Sequence, residues 1–221
     1  MIDTTPTAFA TVILDVDSTL CGIEGIDWLA ERRGKTVAKK VTELTERAMR
    51  GEIPLEDVYG ERLKMVRPRR DDVDALGRAY IETISPGAVE ALALWRSRNV
   101  RVILLSSAIR HAILRLALHV GLGPEQAHAV DVRFDAIGAW GGFDSSSPLT
   151  RTTGKREIVA TLDLRRPILA VGDGSTDRVI REVAEGFAAY TGYVTRANVV
   201  NGADYVVNSF DELTPIVLGH D

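Results

Sequence analysis

The expected fold follows from one stretch of the sequence, Thr11-Val-Ile-Leu-Asp-Val-Asp-Ser-Thr-Leu20, in which an apolar run leads directly to two carboxylates. The run at 12–14 is short and rich in β-branched residues, which is typical of a strand buried on both faces of a parallel sheet. Ligands of such sheets bind at the carboxyl ends of the strands, where Asp15 and Asp17 would lie. Two acids held together there repel each other unless a cation or a proton intervenes. The alternative interpretation is a polar turn that leaves the core, since Asp and Ser favour turns.

The composition is that of an ordinary globular protein with room for one large core. Of the 221 residues, 45% are hydrophobic and 26% are charged, and the net charge is −4. This mild negative charge argues against a general binder of nucleic acid or of membrane surfaces. The first residues, 1–7, lack the basic and apolar regions of a signal peptide, and no apolar run approaches the roughly 20 residues of a membrane span. Cys21 is the only cysteine, so an internal disulfide is excluded and a cytosolic location is expected.

The segment 22–83 has a helical pattern and no strand signal. Its apolar residues recur at spacings of three and four, and glycines and prolines divide the pattern into four helices. An insertion of this length differs from a simple crossover between neighbouring strands. We therefore expect a helical cap domain at 22–83 and an α/β core domain formed by 1–21 and 84–221.

Strands and helices alternate after the insertion, which is typical of a parallel sheet flanked by helices. Buried strands are expected at 99–105 and 167–171, and a short strand at 204–207. The segment 127–143 alternates loosely around glycines and predicts a β-hairpin. The expected fold class is therefore α/β, with a Rossmann-like core and a helical cap inserted after the first strand.

Three of the expected strands end in polar residues of different character. They are followed by Asp15 and Asp17, by Ser106, and by Asp173 and Asp177. Parallel strands bring their carboxyl ends to one edge of the sheet, so these side chains should converge. Clustered carboxylates form a hard oxygen site that suits Mg²⁺.

A lysine and a hydroxyl group beside such a site would suit a phosphate. Lys155 supplies a point charge, and Ser106 can donate a hydrogen bond together with backbone N–H groups. Glycines on both sides of Asp173 allow the backbone to approach a ligand closely. A carboxylate nucleophile, a second acid, a cation and anion donors together indicate phosphoryl transfer.

The order of these residues resembles the haloacid dehalogenase superfamily and, within it, the phosphoserine phosphatases. The segments that match the four motifs of the superfamily are Asp15-Val-Asp-Ser-Thr19, Ser106, Lys155 and Gly172-Asp-Gly-Ser-Thr-Asp177. The resemblance continues into the helical insertion. There, Glu24 matches the glutamate that holds the substrate ammonium, and Arg62 matches the arginine that binds the substrate carboxylate.

The resemblance implies a Mg²⁺-dependent phosphatase that acts on a small phosphomonoester, most simply phosphoserine, with no nucleic-acid or membrane partner. It implies that Asp15 forms an aspartyl-phosphate, that Asp17 protonates the leaving oxygen and later activates water, and that Lys155 is also catalytic. The implied metal site is formed by Asp15, the backbone carbonyl of Asp17 and Asp173, with Asp177 in support. The implied substrate-binding residues are Glu24, Met49, Arg62, Ser106, Ser107, Lys155 and Thr176.

The sequence departs from the usual pattern of the phosphoserine phosphatases at three places. Ser106-Ser107-Ala108 replaces Ser-Gly-Gly, Arg50 replaces a glycine, and Val130-Asp131 replaces an Asn-Arg pair. Two alternatives therefore stay open. One is hydrolysis of another small phosphomonoester, or transfer of its phosphoryl group to another alcohol. The other is a non-enzymatic binding module, although such a protein would be expected to have lost an acid or the lysine.

Overall fold

The computed structural model describes residues 8–219 and contains a central sheet of six parallel strands. The expectation about a signal peptide concerns residues 1–7, which lie outside this range. The strands are β1 (Thr11–Leu14), β2 (Arg101–Ile109), β3 (Ala127–Val130), β4 (Val132–Phe134), β5 (Trp140–Phe143), β6 (Ile168–Gly172), β7 (Gly186–Tyr190) and β8 (Tyr205–Val207). The order in the main sheet is β3-β2-β1-β6-β7-β8, and β4 and β5 form a separate antiparallel pair. The predicted α/β class with a parallel sheet is confirmed.

Helices cover the sheet and also form the insertion between β1 and β2. The helices are α1 (Gly25–Glu31), α2 (Lys35–Met49), α3 (Leu55–Val66), α4 (Arg70–Glu82), α5 (Ala88–Ser97), α6 (Arg110–His119), α7 (Gly154–Thr161), α8 (Ser175–Arg178), α9 (Ala197–Val200) and α10 (Phe210–Leu218). In the range 8–219, none of them is both long enough and apolar enough to cross a membrane.

Strand β1 lies at the centre of the sheet, between β2 and β6. Ile13 pairs with Ile103 on one side and with Ala170 on the other. Every residue of β1 is buried, which explains why the run contains no alternation of polar and apolar residues. The position of β1 brings Asp15 to the middle of the carboxyl edge of the sheet.

The four helices α1–α4 leave and re-enter the sheet region through two adjacent segments. The Gly22 N–H donates to the Thr83 carbonyl at 2.9 Å, and the Ser85 N–H donates to the Leu20 carbonyl at 2.8 Å. The four helices that were predicted for 22–83 are present. The two hydrogen bonds show that the segments connecting these helices to the sheet lie side by side.

Three parts of the sheet differ from the prediction. Strand β2 was expected at 99–105 with Ser106 following it, but it runs from Arg101 to Ile109 and therefore contains Ser106. The segment Ala127–Val130, expected in a hairpin, forms β3 and pairs in parallel with β2, so that only β4 and β5 form the hairpin. Strand β7 was not predicted at all, although all of its residues are buried. Its sequence, Gly-Phe-Ala-Ala-Tyr, contains two aromatic residues but no β-branched residue, so the strand signal is weak.

Candidate active site

A pocket at the carboxyl ends of β1, β2 and β6 contains nearly all the residues predicted from the sequence. Its walls come both from the sheet edge and from α1–α3 of the insertion. The lining residues are Asp15, Asp17, Glu24, Ile26, Met49, Arg62, Ser106, Ser107, Ala108, Lys155, Asp173 and Thr176. Of the predicted site residues, only Asp177 does not line the pocket. It contacts Lys155, which does.

Lys155 connects two of the acids. Its Nζ lies 2.7 Å from Asp15 Oδ1 and 2.6 Å from Asp177 Oδ1, and its side chain is almost fully buried. Burial lowers the pKa of Lys155, but the charges of Asp15 and Asp177 outweigh this effect and raise that pKa above its usual value. The ammonium group is therefore charged at neutral pH.

The carboxylates of Asp15, Asp173 and Asp177 form a buried acidic cluster, with one oxygen from each within 4.8 Å of the others. Burial, followed by the charge of Asp177, raises the pKa of Asp15 well above its usual range. Burial also raises the pKa of Asp173 to about 6, although the charge of Arg196 opposes this shift. These shifts come mainly from burial, and repulsion from Asp177 adds to both of them.

The acidic cluster fits a hard divalent cation. Its three carboxylates have two buried cationic partners, Lys155 and Arg196, so full ionisation leaves an uncompensated negative charge. Carboxylate oxygens are the ligands that Mg²⁺ and Ca²⁺ prefer, and a bound cation would offset this charge. The side chain of Asp17 is not a member of the cluster.

The carboxylate of Asp17 is held by the insertion. The Tyr80 hydroxyl donates to Oδ1 at 2.5 Å, and the Gly25 N–H donates to Oδ2 at 2.9 Å. Burial raises the pKa of Asp17 to about 6, while the hydrogen bonds from Tyr80 and Gly25 oppose this rise. A carboxyl group with such a pKa can both give and take a proton near neutral pH.

Two pocket residues come from the insertion: Glu24, which directly precedes α1, and Arg62 in α3. Glu24 Oε1 accepts a hydrogen bond from Ser18 Oγ at 2.7 Å. Burial, followed by the charge of Asp17, raises the pKa of Glu24 well above its usual value. Arg62 Nη1 donates to Thr45 Oγ1 at 2.8 Å. The insertion therefore contributes an acid and a guanidinium to the pocket.

Two hydrogen-bonding groups in the pocket wall lack a protein partner. Within the part of the chain that the structure describes, Arg62 Nε and Ser107 Oγ are buried and form no hydrogen bond. Buried donors without a partner are destabilising, so their presence in a pocket indicates a ligand that accepts hydrogen bonds. The neighbouring Ser106 Oγ accepts a hydrogen bond from the Ala108 N–H at 3.0 Å.

The three departures from the family pattern differ in how close they lie to the pocket. Ser107 and Ala108 are in its wall. Arg50 is exposed and pairs with Glu52 at 2.7 Å, so its charge lies outside the pocket. Val130 is buried at the end of β3. Of the substituted positions, those at 107 and 108 are therefore the ones that reshape the site.

Two residues of the site were missed by sequence reasoning. Tyr80 holds Asp17, and the buried guanidinium of Arg196 contacts the Asp173 carboxylate and lies 3.0 Å from Glu46 Oε1. Neither belongs to a motif at a fixed distance from the acids. A periodic apolar position in α4 identifies Tyr80 only as a core residue, and nothing in the sequence around Arg196 indicates its partner.

Known proteins resemble this chain in sequence. A family model described as haloacid dehalogenase-like hydrolase matches residues 9–178. A protein named phosphoserine phosphatase from Rattus norvegicus is 33% identical over 205 residues, which cover 91% of this chain and 90% of the relative.

Solved structures share the fold over most of the chain. A phosphoserine phosphohydrolase-like protein from Francisella tularensis has a TM-score of 0.87 at 22% identity, covering 94% of this chain and 99% of that one. A phospho-aspartyl intermediate analogue of phosphoserine phosphatase has a TM-score of 0.81 at 22% identity, covering 94% and 98%. At these identities the likeness establishes the fold.

Proposed function

The chain belongs to the haloacid dehalogenase-like hydrolases, and on this basis we propose that it is a phosphatase that converts O-phosphoserine to serine and phosphate. The observation that carries the proposal is the pocket itself. It joins the Asp15–Lys155 pair to Arg62 Nε and Ser107 Oγ, two buried groups that have no partner among residues 8–219. A phosphomonoester that carries an amino acid would supply both the electrophile and the missing hydrogen-bond acceptors.

In the first half of the reaction, a carboxylate oxygen of Asp15 attacks phosphorus. A bond forms between this oxygen and phosphorus as the bond from phosphorus to the serine oxygen breaks. Asp17 gives its proton to the departing oxygen, because an alkoxide is a poor leaving group. The products are serine and an aspartyl-phosphate, and the resemblance to a structure of a phospho-aspartyl intermediate analogue supports this step.

In the second half, water hydrolyses the aspartyl-phosphate. The Asp17 carboxylate takes a proton from water as the oxygen attacks phosphorus, which restores the Asp17 acid and frees the Asp15 carboxylate. Lys155, bound to Asp15 and Asp177, keeps a positive charge beside the phosphoryl group throughout.

Asp15, the backbone carbonyl of Asp17 and Asp173 would hold Mg²⁺, and Asp177 would support them through Lys155. The cation supplies positive charge that stabilises the phosphoryl group as negative charge develops on it. The buried acidic cluster and its raised pKa values support this part of the proposal.

Residues 22–83 act as a cap that selects the substrate, over a core formed by 1–21 and 84–221. Glu24 would bind the substrate ammonium, and Arg62 its carboxylate. Met49, Ser106, Ser107 and Thr176 would complete the binding site, since all of them line the pocket. The proposal includes a cytosolic location and a small-molecule substrate, without a nucleic-acid or membrane partner.

The test is phosphate release by the purified protein with Mg²⁺ from phosphoserine, phosphothreonine, phosphotyrosine, glycerol phosphate and 4-nitrophenyl phosphate. We expect the highest kcat/KM for phosphoserine, with stoichiometric release of inorganic phosphate in the absence of an acceptor alcohol. Phosphate release that requires an added alcohol would indicate transfer. Equal activity on all of the esters would contradict the role of the cap while leaving a general phosphatase.

A further inference from the structure

Both oxygens of the Asp17 carboxylate are occupied by donors that come from the insertion. The Tyr80 hydroxyl in α4 reaches Oδ1 at 2.5 Å, and the Gly25 N–H at the start of α1 reaches Oδ2 at 2.9 Å. Two hydrogen bonds on different oxygens fix the plane of the carboxylate, because rotation of the group would break both of them. Asp17 also lines the pocket, so this plane determines how its oxygens face a substrate.

The position of the Tyr80 hydroxyl depends on the absence of a side chain at Gly25. A Cβ at position 25 would lie 2.0 Å from the Tyr80 Oη and 3.0 Å from its Cζ. Tyr80 is fully buried, and its carbonyl accepts a hydrogen bond from Cys21 Sγ at 3.3 Å. The surroundings therefore hold the hydroxyl in one place against Asp17.

A buried tyrosine needs a partner for its hydroxyl, and this need alone could explain the contact. Tyr59 provides an internal comparison, because it is also fully buried in the insertion. Its hydroxyl donates to the backbone carbonyl of Ser107 at 2.9 Å. Tyr80 instead donates to the side chain of a pocket acid, and Gly25 contributes a second donor to the same group. Tyr80 therefore differs from Tyr59, because its hydroxyl and the Gly25 N–H both donate to one pocket acid.

We propose that Tyr80 is a positioning residue, which holds the Asp17 carboxyl group in the orientation from which it protonates the leaving alcohol. This inference rests on the proposed function, since it assigns the orientation of the acid used in that reaction. It also makes the acid depend on the insertion: Asp17 is correctly oriented only when α1 and α4 lie against the sheet edge.

The test compares esters whose leaving groups need an acid to different extents. Phenyl phosphate and 4-nitrophenyl phosphate are similar in size and lack amino and carboxylate groups, but nitrophenolate leaves readily without a proton. The quantity to measure is kcat/KM, because it covers the steps up to departure of the alcohol and excludes hydrolysis of the aspartyl-phosphate.

We expect Tyr80→Phe to lower kcat/KM about tenfold or more for phosphoserine and phenyl phosphate, and less than about threefold for 4-nitrophenyl phosphate. The matched control, Tyr59→Phe, should leave the ratio between the two aryl esters within about twofold of the wild-type ratio. An equal loss for all three esters would overturn the inference, because it would indicate a purely structural role. A loss confined to phosphoserine would also overturn it, since it would indicate an effect on substrate binding.

A second variant keeps the test independent of the stability of Tyr80→Phe. Gly25→Ala retains the hydroxyl but displaces it from Asp17, so it should produce the same dependence on the leaving group. Failure of the proposed function gives a different result. A wild-type enzyme that does not prefer phosphoserine contradicts the proposed substrate, whereas the ratio between the aryl esters still decides the role of Tyr80.

Discussion

Arg196 forms an ion pair with Asp173 inside the acidic cluster, and both side chains are almost completely buried. The second guanidinium nitrogen of Arg196 lies 3.0 Å from Glu46 in α2. The same arginine thus compensates an acid of the proposed metal site and connects the loop before α9 to the insertion. Removing one partner of a buried ion pair leaves an uncompensated charge, which is far more costly than loss of a surface pair.

We predict that Arg196→Gln lowers the free energy of unfolding by about 2–4 kcal/mol when Mg²⁺ is chelated. Added Mg²⁺ should restore more stability to the variant than to the wild type, because the cation compensates the same carboxylate. Urea unfolding with chelator and with Mg²⁺ measures both effects. The control is Arg181→Gln, which removes a pair with Asp204 at the surface and should cost less than about 1 kcal/mol. Equal losses in the two variants would contradict the prediction.

Asp15→Asn should abolish turnover while leaving the fold intact. The amide has the shape of the carboxylate but cannot act as the attacking group, so no aspartyl-phosphate can form. Acid quenching with ³²P-labelled phosphoserine should trap a phosphorylated protein for the wild type and none for the variant, and circular dichroism would show that both are folded. A variant that turns over normally would rule out the covalent mechanism.

Mg²⁺ should be required for activity, and Ca²⁺ should replace it poorly. Ca²⁺ takes more ligands at longer distances than the octahedral arrangement of Mg²⁺, so a carboxylate that must attack phosphorus could be drawn into coordination. Mg²⁺ should also raise the Tm of the wild type but not of Asp173→Asn. The exposed Asp57 gives a matched control, and Asp57→Asn should respond to Mg²⁺ like the wild type. Full activity in excess chelator would disprove the proposed metal site.

Glu24→Gln and Arg62→Ala should each lower kcat/KM for phosphoserine by at least about a hundredfold. Loss of one partner of a desolvated charge pair typically costs about 2–5 kcal/mol. The aryl ester 4-nitrophenyl phosphate has neither an ammonium nor a carboxylate, so it should be affected much less. Glu61 is next to Arg62 but outside the pocket, where it pairs with Lys40 at 3.2 Å, and Glu61→Gln should retain wild-type kinetics.

The stability of the metal-free protein should fall as the pH rises through about 6. Burial raises the pKa of Asp17 and of Asp173 from 3.8 to about 6. Each group therefore favours the folded state fully below pH 3.8, and this contribution is lost once both carboxyls are ionised above about 6, at a cost of about 1–3 kcal/mol per group. Asp204 acts in the opposite direction but only at lower pH, since its hydrogen bond from Arg181 lowers its pKa.

Unfolding in urea with chelator between pH 5 and 7 tests this dependence. Asp173→Asn should flatten the decline, because the amide does not titrate, and Mg²⁺ should reduce it in the wild type by compensating the ionised carboxylates. A stability that increases over this range would contradict the prediction.

The sequence was sufficient to predict the elements whose local pattern matches their environment. The run before Asp15 is apolar throughout because β1 is buried on both faces, and acids follow β1 and β6 where these strands end at the pocket. The exact end of β2 was not predicted, since Ser106 lies within that strand. Strand β3 shows the limit of such patterns. Its residues are compatible with a strand, but an alternating pattern of polar and apolar residues does not determine which neighbouring strand it pairs with.

The contacts that complete the site could not be predicted in the same way. Tyr80 and Asp17 are 63 positions apart, and Arg196 and Asp173 are 23 apart. Neither spacing corresponds to a helical turn or to neighbouring positions in a strand. Such pairs depend on how the insertion and the later loops pack on the sheet, which is a property of the assembled fold.

The paired segments at the base of the insertion have a consequence for how such a chain can change. Because Gly22 bonds to Thr83 and Ser85 bonds to Leu20, the insertion begins and ends at nearly one point. Because its two ends lie so close together, the insertion places no more demand on the position of β1 than a short turn would. It can therefore be lengthened or exchanged without moving β1. Grafting the insertion of a relative between these two anchor points should transplant substrate preference as one block. Because Gly25 and Tyr80 of the same insertion also hold Asp17, such a graft should keep the proposed acid in place only where the new insertion brings equivalent donors.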